Sequence, residues 1–188
     1  MGTLGFNGDA VTTIAIRNAG MADFAAIVAI NLVEVRHTSP MDEARLRQLD
    51  ALACYHKVAL VDGAVAAFLL AMEAGCGYAN ENFEWFAGRL EAFLYVDRIV
   101  VDGRYRGLRL GKLLYDDLFA HARSNGIAAI ACEYNIVPPN EPSRAFHDKF
   151  GFREAGRQWL DNGSKQVSLQ VAAIRQPLQT EAASRDRA

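Results

Sequence analysis

The chain is poor in the features that mark several common protein classes. It has three cysteines, Cys54, Cys76 and Cys132, an odd number with no C-x-x-C pair. That argues against a disulfide framework and favours free thiols in a reducing compartment. His37, His56 and His121 stand at no ligand spacing from cysteines or carboxylates, so no metal is expected. There is no basic excess: 20 Lys and Arg face 22 Asp and Glu, for a net charge of −2. A general nucleic-acid or membrane-surface role needs a basic face that this balance does not supply. The longest apolar run, "AVAAFLLAM", falls far short of the ~20 residues of a membrane helix. The start, "MGTLGFNGDAVTT", lacks a basic segment followed by an apolar one, and Phe6 stands where a myristoylation motif needs Ser or Thr. These absences together read as a cytoplasmic protein.

What is present is an ordinary globular balance in 188 residues, half of them apolar, enough for one domain with its own core. The domain is expected over residues 12–172, with 1–11 and 173–188 as flexible or peripheral ends. "TTIAIRNA" reads as a first strand. "MADFAAIVAINLVEV" reads as a helix with Phe24, Ile27, Val28 and Leu32 on one face. "PMDEARLRQLDALA" is a second helix, with Pro40 near its start and acids in its first turn. "YHKVALVDGAVAAFLLAM" is two strands about a "DG" hairpin turn. The segment from Glu73 to Glu91 has little pattern but concentrates aromatics. "AFLYVDRIVVD" and "IAAIACEYNI" are strands flanking the helix "LLYDDLFAHARS", which Asn125 and Gly126 cap. "SRAFHDKFG" is a short helix, and "FREAGRQWL" with "SKQVSLQVA" forms a last hairpin about "DNG". The resulting order, β-α-α-β-β-β-α-β-α-β-β, is α/β with a largely antiparallel front and a strand–helix–strand crossover behind it.

Between strand and helix lies "GRYRGLRLGKLL" (103–114), with four cations, Arg104, Arg106, Arg109 and Lys112. The start of a helix carries partial positive charge and repels them. Free backbone N–H groups there, with the dipole, make a phosphate site, and a multiply charged anion would reconcile the cations with the helix end. It is not a nucleoside-triphosphate loop: three residues, not four, separate Gly107 from Gly111, and Leu113 stands where Ser or Thr is needed. Nor does G-x-G-x-x-G occur.

"RGLRLG" (106–111) resembles the pyrophosphate loop R/Q-x-x-G-x-G/A of the GNAT N-acetyltransferase superfamily, with Arg109 in place of one glycine. Val101, Tyr105, Arg106 and Gly107 match the family's usual approach to that loop. "NEPSRAFHDKFGF" keeps the spacing of the family's second motif, N-x-x-A-x-x-L-Y-x-x-x-G-F, through Asn140, Ser143, Phe146, His147, Gly151 and Phe152. "YVDRIVVD" and "PPN" also look like a bacterial branch of the superfamily. The resemblance spans roughly residues 12–172 and is most specific between 92 and 156.

The resemblance implies a mixed, mostly antiparallel central sheet splayed between its fourth and fifth strands, with flanking helices. It implies acetyl transfer from acetyl-CoA to the primary amine of a small molecule, by direct attack in a ternary complex and without a metal. The pantetheine arm would pair with backbone groups at Ile99, Val100 and Val101, and the oxyanion donor would be a strand N–H near Val100. The N–H groups of Leu108, Arg109, Leu110, Gly111 and Lys112 would hold the pyrophosphate. The Arg106 and Arg109 side chains would add charge, and Arg109 would have to point outward. Asn140, Ser143 and Phe146 would complete the coenzyme site, and Asn140 also reads as a helix cap. His147, where relatives often carry Tyr, is a candidate proton donor to the thiolate, or a packed side chain. Glu133 and Asp97 are candidate bases, Glu133 ahead because a buried carboxylate needs a purpose. Asp97 beside Arg98 reads equally as an ion pair. Tyr78, Phe83, Trp85 and Phe86 would line the acceptor pocket or form core, and Glu81 and Glu84 would suit a cationic acceptor. A protein or peptide N-acetyltransferase and a non-catalytic acyl-CoA sensor remain as alternatives, and a homodimer is possible on the family's habit.

Overall fold

A computed structural model describes residues 12–35 and 38–174. The expectations for residues 1–11 and 175–188, and for His37, lie outside the described residues. One seven-stranded sheet runs β1-β2-β3-β4-β5-β7-β6. Its strands are β1 (Ile14–Asn18), β2 (Ala53–Val61), β3 (Ala64–Glu73), β4 (Phe93–Val101), β5 (Ala129–Val137), β6 (Arg153–Leu160) and β7 (Lys165–Ala173). Among the described residues five α-helices accompany it: α1 (Phe24–Val33), α2 (Glu43–Leu52), α3 (Glu81–Ala87), α4 (Leu110–Ser124) and α5 (Glu141–Asp148). No helix among the described residues is long and apolar enough to cross a membrane.

The two-residue alternation of β3 explains the layering. Phe68, Leu70 and Met72 meet α1, α2 and α3 on one face, while Ala67, Leu69 and Ala71 meet α4 on the other. The run that is too short for a membrane is therefore a central strand covered on both sides. The β2–β3 turn is tight, with Asp62 and Gly63 both at positive φ, as an Asp-Gly hairpin requires. Helix α4 ends at Asn125, followed by Gly126 at φ +69°. The described fold continues just past residue 172: β7 runs to Ala173, and Ile174 is buried and bonded to the Ala128 carbonyl.

Three expectations need correction. The segment 73–91 contains a helix, α3, started by Asn80, whose Oδ1 accepts from the N–H groups of Asn82 and Phe83. The buried face of α1 is Phe24, Ile27 and Ile30 with Asn31, while Leu32 is 68% exposed. Tyr78, Phe83 and Phe86 are buried in the core, ring against ring with Phe93 and Tyr95, rather than lining a pocket.

Trp85 also lies away from the groove. It seats α3 on the far hairpin, and a Cβ at Gly156 would stand 2.5 Å from its Cζ2. The indole is also stacked by the Arg89 guanidinium, 4.0 Å from the ring centroid. Gly156→Val is therefore expected to lower the Tm by about 3–10 °C, through overpacking at a site with no spare volume. Thermal unfolding monitored by circular dichroism checks this; an unchanged Tm would show that α3 is not pinned there.

Candidate active site

Strands β4 and β5 are parallel neighbours for a short distance only. Phe93, Leu94 and Tyr95 pair with Ala129, Ile130 and Ala131, and beyond Tyr95 the two strands part. A β-bulge falls at the parting. Val96 faces Ala71 and Arg98 faces Leu70, which leaves Asp97 as the extra residue. Bulges bend a strand and re-aim its side chains. Here Phe93 and Tyr95 before it, and Val100 after it, share one face of the sheet despite their odd and even numbers.

The gap opens into a groove of about 730 Å³. Ile99, Val100 and Val101 border it from β4, and Cys132, Glu133 and Tyr134 from β5. Asn140, Ser143, Phe146 and His147 border it from α5 and its cap, and Arg106 and Gly111 from the loop before α4. Two motifs far apart in sequence thus meet on one cleft.

Backbone polarity along β4 sharpens one expectation. The Asp102 N–H bonds the Ala66 carbonyl, so in an antiparallel ladder Val100 also turns its N–H and C=O toward β3. The groups left facing the gap belong to Ile99 and Val101. Val100 itself is thus the residue not offered to a ligand, contrary to the expectation from sequence.

At the loop, Gly107 has φ +89°, and Arg109, the N-cap of α4, sits in the left-handed region at φ 58°. That conformation explains the glycine expected there, and it leaves the Arg109 side chain exposed, pointing outward. The first free helical N–H groups are those of Leu110, Gly111 and Lys112, since the Leu113 N–H already bonds the Arg109 carbonyl. The Leu108 N–H is turned to the Tyr105 carbonyl, 3.4 Å away, and is less available than expected. Gly111 also permits a close approach: a Cβ there would stand 3.3 Å from Cε2 of Phe146, which closes the floor between α4 and α5.

The four cations are less exposed to mutual repulsion than the sequence implied. Arg104 is paired with Asp102 at 2.6 Å, and Lys112 with Asp116 one helical turn on, also at 2.6 Å. Arg106 approaches Glu34 at 3.9 Å, and Arg109 makes no ion pair among the described residues. Two of the four therefore need no ligand to be tolerated. Arg106 and Arg109, with the helix N–H groups, are what a pyrophosphate would meet, and these donors fit it.

At the other end of the groove the candidate acids and bases separate clearly. Asp97 is spent on structure. One oxygen accepts from the Tyr78 hydroxyl and the other from Arg98 Nε at 2.7 Å, both partners of that pair being nearly inaccessible. Arg98 also binds Asn31 Oδ1, the Ser39 carbonyl and Ser39 Oγ, and so ties β4 to α1 and the chain after it. Glu133 differs. Its Oε2 is buried without a hydrogen-bond partner. Burial pushes its pKa up to about 7, against the opposing pull of Tyr95 and Asn82 donors and of Lys165, while Asp97 pushes the same way as burial.

His147 is held with both nitrogens engaged. Nδ1 lies 2.7 Å from the Ser143 carbonyl, which only an N–H can satisfy, so Nε2 accepts from the Tyr115 hydroxyl at 2.9 Å. Burial lowers its pKa, with the Ser143 backbone and Asp148 opposing weakly. The imidazole is thus uncharged at neutral pH and braces α5 against α4. The expectation of an imidazolium at the sulfur does not match this geometry. Asn140 caps α5 as expected, its Oδ1 accepting from the Ser143 N–H at 3.1 Å.

Sequence reading missed Asn82, Tyr95, Asp161 and Lys165. Asn82, Asp161 and Lys165 line the groove, and the Tyr95 hydroxyl donates to Asn80 Oδ1 at 3.4 Å and holds down the pKa of Glu133. The available signal was Asn80 ahead of an acidic turn with Phe83 and Phe86 three apart, a short capped helix.

A mixed sheet splayed at one parallel pair, with a glycine-bearing loop at the start of a helix beside the gap, is the fold of the acyl-CoA N-acyltransferases. The model of the acetyltransferase (GNAT) family matches residues 21–152, and the chain belongs to that family. Acetyl transfer is the chemistry for which that family is named. A glucosamine 6-phosphate N-acetyltransferase of Trypanosoma brucei brucei is 41% identical over 64 residues, which cover 34% of this chain and 40% of that protein. Among solved structures, the ribosomal-protein-S18-alanine N-acetyltransferase of Escherichia coli superposes with a TM-score of 0.67 at 17% identity, covering 89% of this chain and 98% of that one. The yncA protein of Salmonella typhimurium, solved with its cofactor acetyl-CoA, superposes with a TM-score of 0.64 at 21% identity, covering 90% and 98%. The two superpositions speak for the fold.

Proposed function

We propose that this protein acetylates the primary amine of a small molecule, with Glu133 as the base. The observation that carries the reading is the Glu133 carboxyl, which borders the groove where β4 and β5 part and has its Oε2 buried without a hydrogen-bond partner. Acetyl-CoA supplies the electrophilic thioester carbonyl. The N–H groups of Leu110, Gly111 and Lys112, with Arg106 and Arg109, hold the diphosphate end, and the free backbone groups of Ile99 and Val101 hold the arm and face developing negative charge.

The amine attacks as the neutral species, with its lone pair directed at the carbonyl carbon. As the C–N bond forms, nitrogen becomes positively charged and gives a proton to Glu133. The C–S bond then breaks, and the departing thiolate takes up that proton. The products are the amide and free coenzyme thiol, and Glu133 returns to its ionised form. A carboxyl with its pKa near neutrality suits both halves of this shuttle. His147 has no part in the proton transfer; it positions α5, which carries one wall of the groove. Glu81 and Asp161 add negative charge at the acceptor end, in keeping with a cationic acceptor. The partial similarity to an enzyme named for an amino-sugar phosphate supports a small acceptor.

The test is thiol release from acetyl-CoA across an amine panel: glucosamine 6-phosphate, phenethylamine, spermidine and an alanine-leading peptide. Transfer to a small amine, well above slow hydrolysis, is expected. Transfer to the peptide alone would make this a peptide acetyltransferase, and tight coenzyme binding with hydrolysis only would make it a sensor.

A further inference from the structure

Glu133 is not the only polar residue on its face of the sheet. By the alternation of β5, Ala131, Glu133 and Asn135 share the face of the α1–α3 layer, and so do Leu169 and Val167, the β7 partners of Glu133 and Asn135. Lys165, two residues before Val167 on β7, lies on that face too, and its cross-strand partner Leu160 packs against the same core cluster. Glu133, Asn135 and Lys165 all border the groove. Helix α4, whose first turn carries the donors for the diphosphate, lies on the opposite face, with Leu110 in the other core cluster. A molecule that meets Asn135 and Lys165 therefore enters from the side away from those donors, where an acceptor must stand for direct attack.

Two of the three groups are unused. Asn135 is 6% exposed, yet its side-chain amide makes no hydrogen bond among the described residues, and neither amide atom is sealed in protein. Its backbone carbonyl takes the Asn140 N–H at 3.0 Å, which fixes the residue beside the irregularity in β5. Lys165 is half-buried and makes neither an ion pair nor a side-chain hydrogen bond among the described residues. A partly buried ammonium and a buried amide are both costly without partners, and a bound anion satisfies both. Glu81 and Asp161, also on the groove, make no ion pair among the described residues either. The groove thus offers carboxylates to an ammonium, and Lys165 with the Asn135 amide to an anion.

We propose that Lys165 and the Asn135 amide N–H form an oxyanion subsite of the acceptor, so that the acceptor carries a carboxylate or a phosphate as well as its amine. The inference rests on the reading of this protein as a small-amine acetyltransferase with Glu133 as the base. Residues two apart on a strand stand about 7 Å apart, so one small molecule can reach both Asn135 and Glu133. With the anion held at Asn135 and Lys165, the amine of such a molecule is directed along the strand toward Glu133.

The experiment measures thiol release with two matched pairs. Phenylalanine and phenethylamine differ by a carboxylate; glucosamine 6-phosphate and glucosamine differ by a phosphate. In at least one pair the natural protein is expected to prefer the anionic member by about tenfold or more in kcat/KM. A response in the first pair names an amino acid, and in the second a phosphorylated amine. Lys165→Met should bring that preference to within about threefold, and Lys165→Glu should reverse it. Asn135→Ala should cut it about three- to tenfold. Lys165 also lowers the pKa of Glu133, but that effect is common to both members of a pair and cancels in the ratio. Unchanged coenzyme A affinity reports that each variant is folded; if Asn135→Ala is not, Lys165→Met, at a half-buried position, carries the test. Equal kcat/KM within both pairs, a preference for the neutral members, or transfer confined to amines without an anionic group, such as spermidine, would overturn this inference and leave the functional reading standing. So would an equal loss on both members of a pair in Lys165→Met. Transfer to no small amine would overturn the functional reading, and this inference with it.

Discussion

Glu133→Gln is expected to lower kcat by about 10²- to 10⁴-fold, the usual range for loss of a positioned base. The sign of the pH dependence follows from burial. With its pKa pushed up to about 7, Glu133 is protonated and inactive in acid, and kcat at saturating amine should rise through an apparent pKa near that value. In the glutamine variant the limb should vanish along with the rate. The same substitution should stabilise the fold. A carboxyl whose folded pKa is raised costs nothing below its ordinary value of 4.5. Its cost grows as pH rises from there through about 7 and is constant above. Glutamine carries no such cost, so the variant should gain on the order of 3 kcal/mol at alkaline pH and nothing in acid. Chemical denaturation at the two pH values checks this. A variant that loses both activity and stability at alkaline pH would assign Glu133 a structural role.

Asp97→Ala should behave in the opposite way. It removes the partner of a guanidinium that is as buried as the carboxylate itself, 4% exposed on each side. Breaking one half of a buried pair costs about 3–5 kcal/mol, because the remaining charge is left in a poor solvent. Arg98 keeps Asn31 and Ser39 as neutral partners, which places the expected loss toward the lower end. The substitution also releases the Tyr78 hydroxyl and loosens the bulge that directs β4 away from β5. Urea denaturation is the measurement. Unchanged stability with activity lost by several orders of magnitude would return Asp97 to the chemistry.

How far the sequence reads into this molecule depends on how local each signal is. The hairpin at Asp62-Gly63, the end of α4 at Asn125-Gly126 and the cap at Asn140 are written in adjacent residues and appear where the pattern puts them. The two motifs that flank β5 are likewise written in adjacent residues, and both border the groove. Helix α3 is barely two capped turns inside an aromatic-rich stretch, too short for a period to show. The cations of the loop looked unpaired because the partners that matter, Asp102 and Asp116, act through side-chain direction, which spacing alone does not fix. His147 and Tyr115 are 32 residues apart, and only the packing of α5 on α4 makes one the partner of the other. The aromatics near α3 satisfied a pocket and a core equally well as letters, and burial against Phe93 and Tyr95 decides for the core.

All of the chemistry above requires that the gap between β4 and β5 accept coenzyme A with its diphosphate at the start of α4. Calorimetric titration of the protein with coenzyme A tests this most directly, in the natural chain and in Arg109→Glu, whose side chain is exposed and makes no ion pair among the described residues. Saturable one-to-one binding is expected, weakened about tenfold or more by the charge reversal and increasingly so as salt is lowered. Absence of binding to the natural chain, or binding indifferent to Arg109→Glu at low salt, would contradict the account.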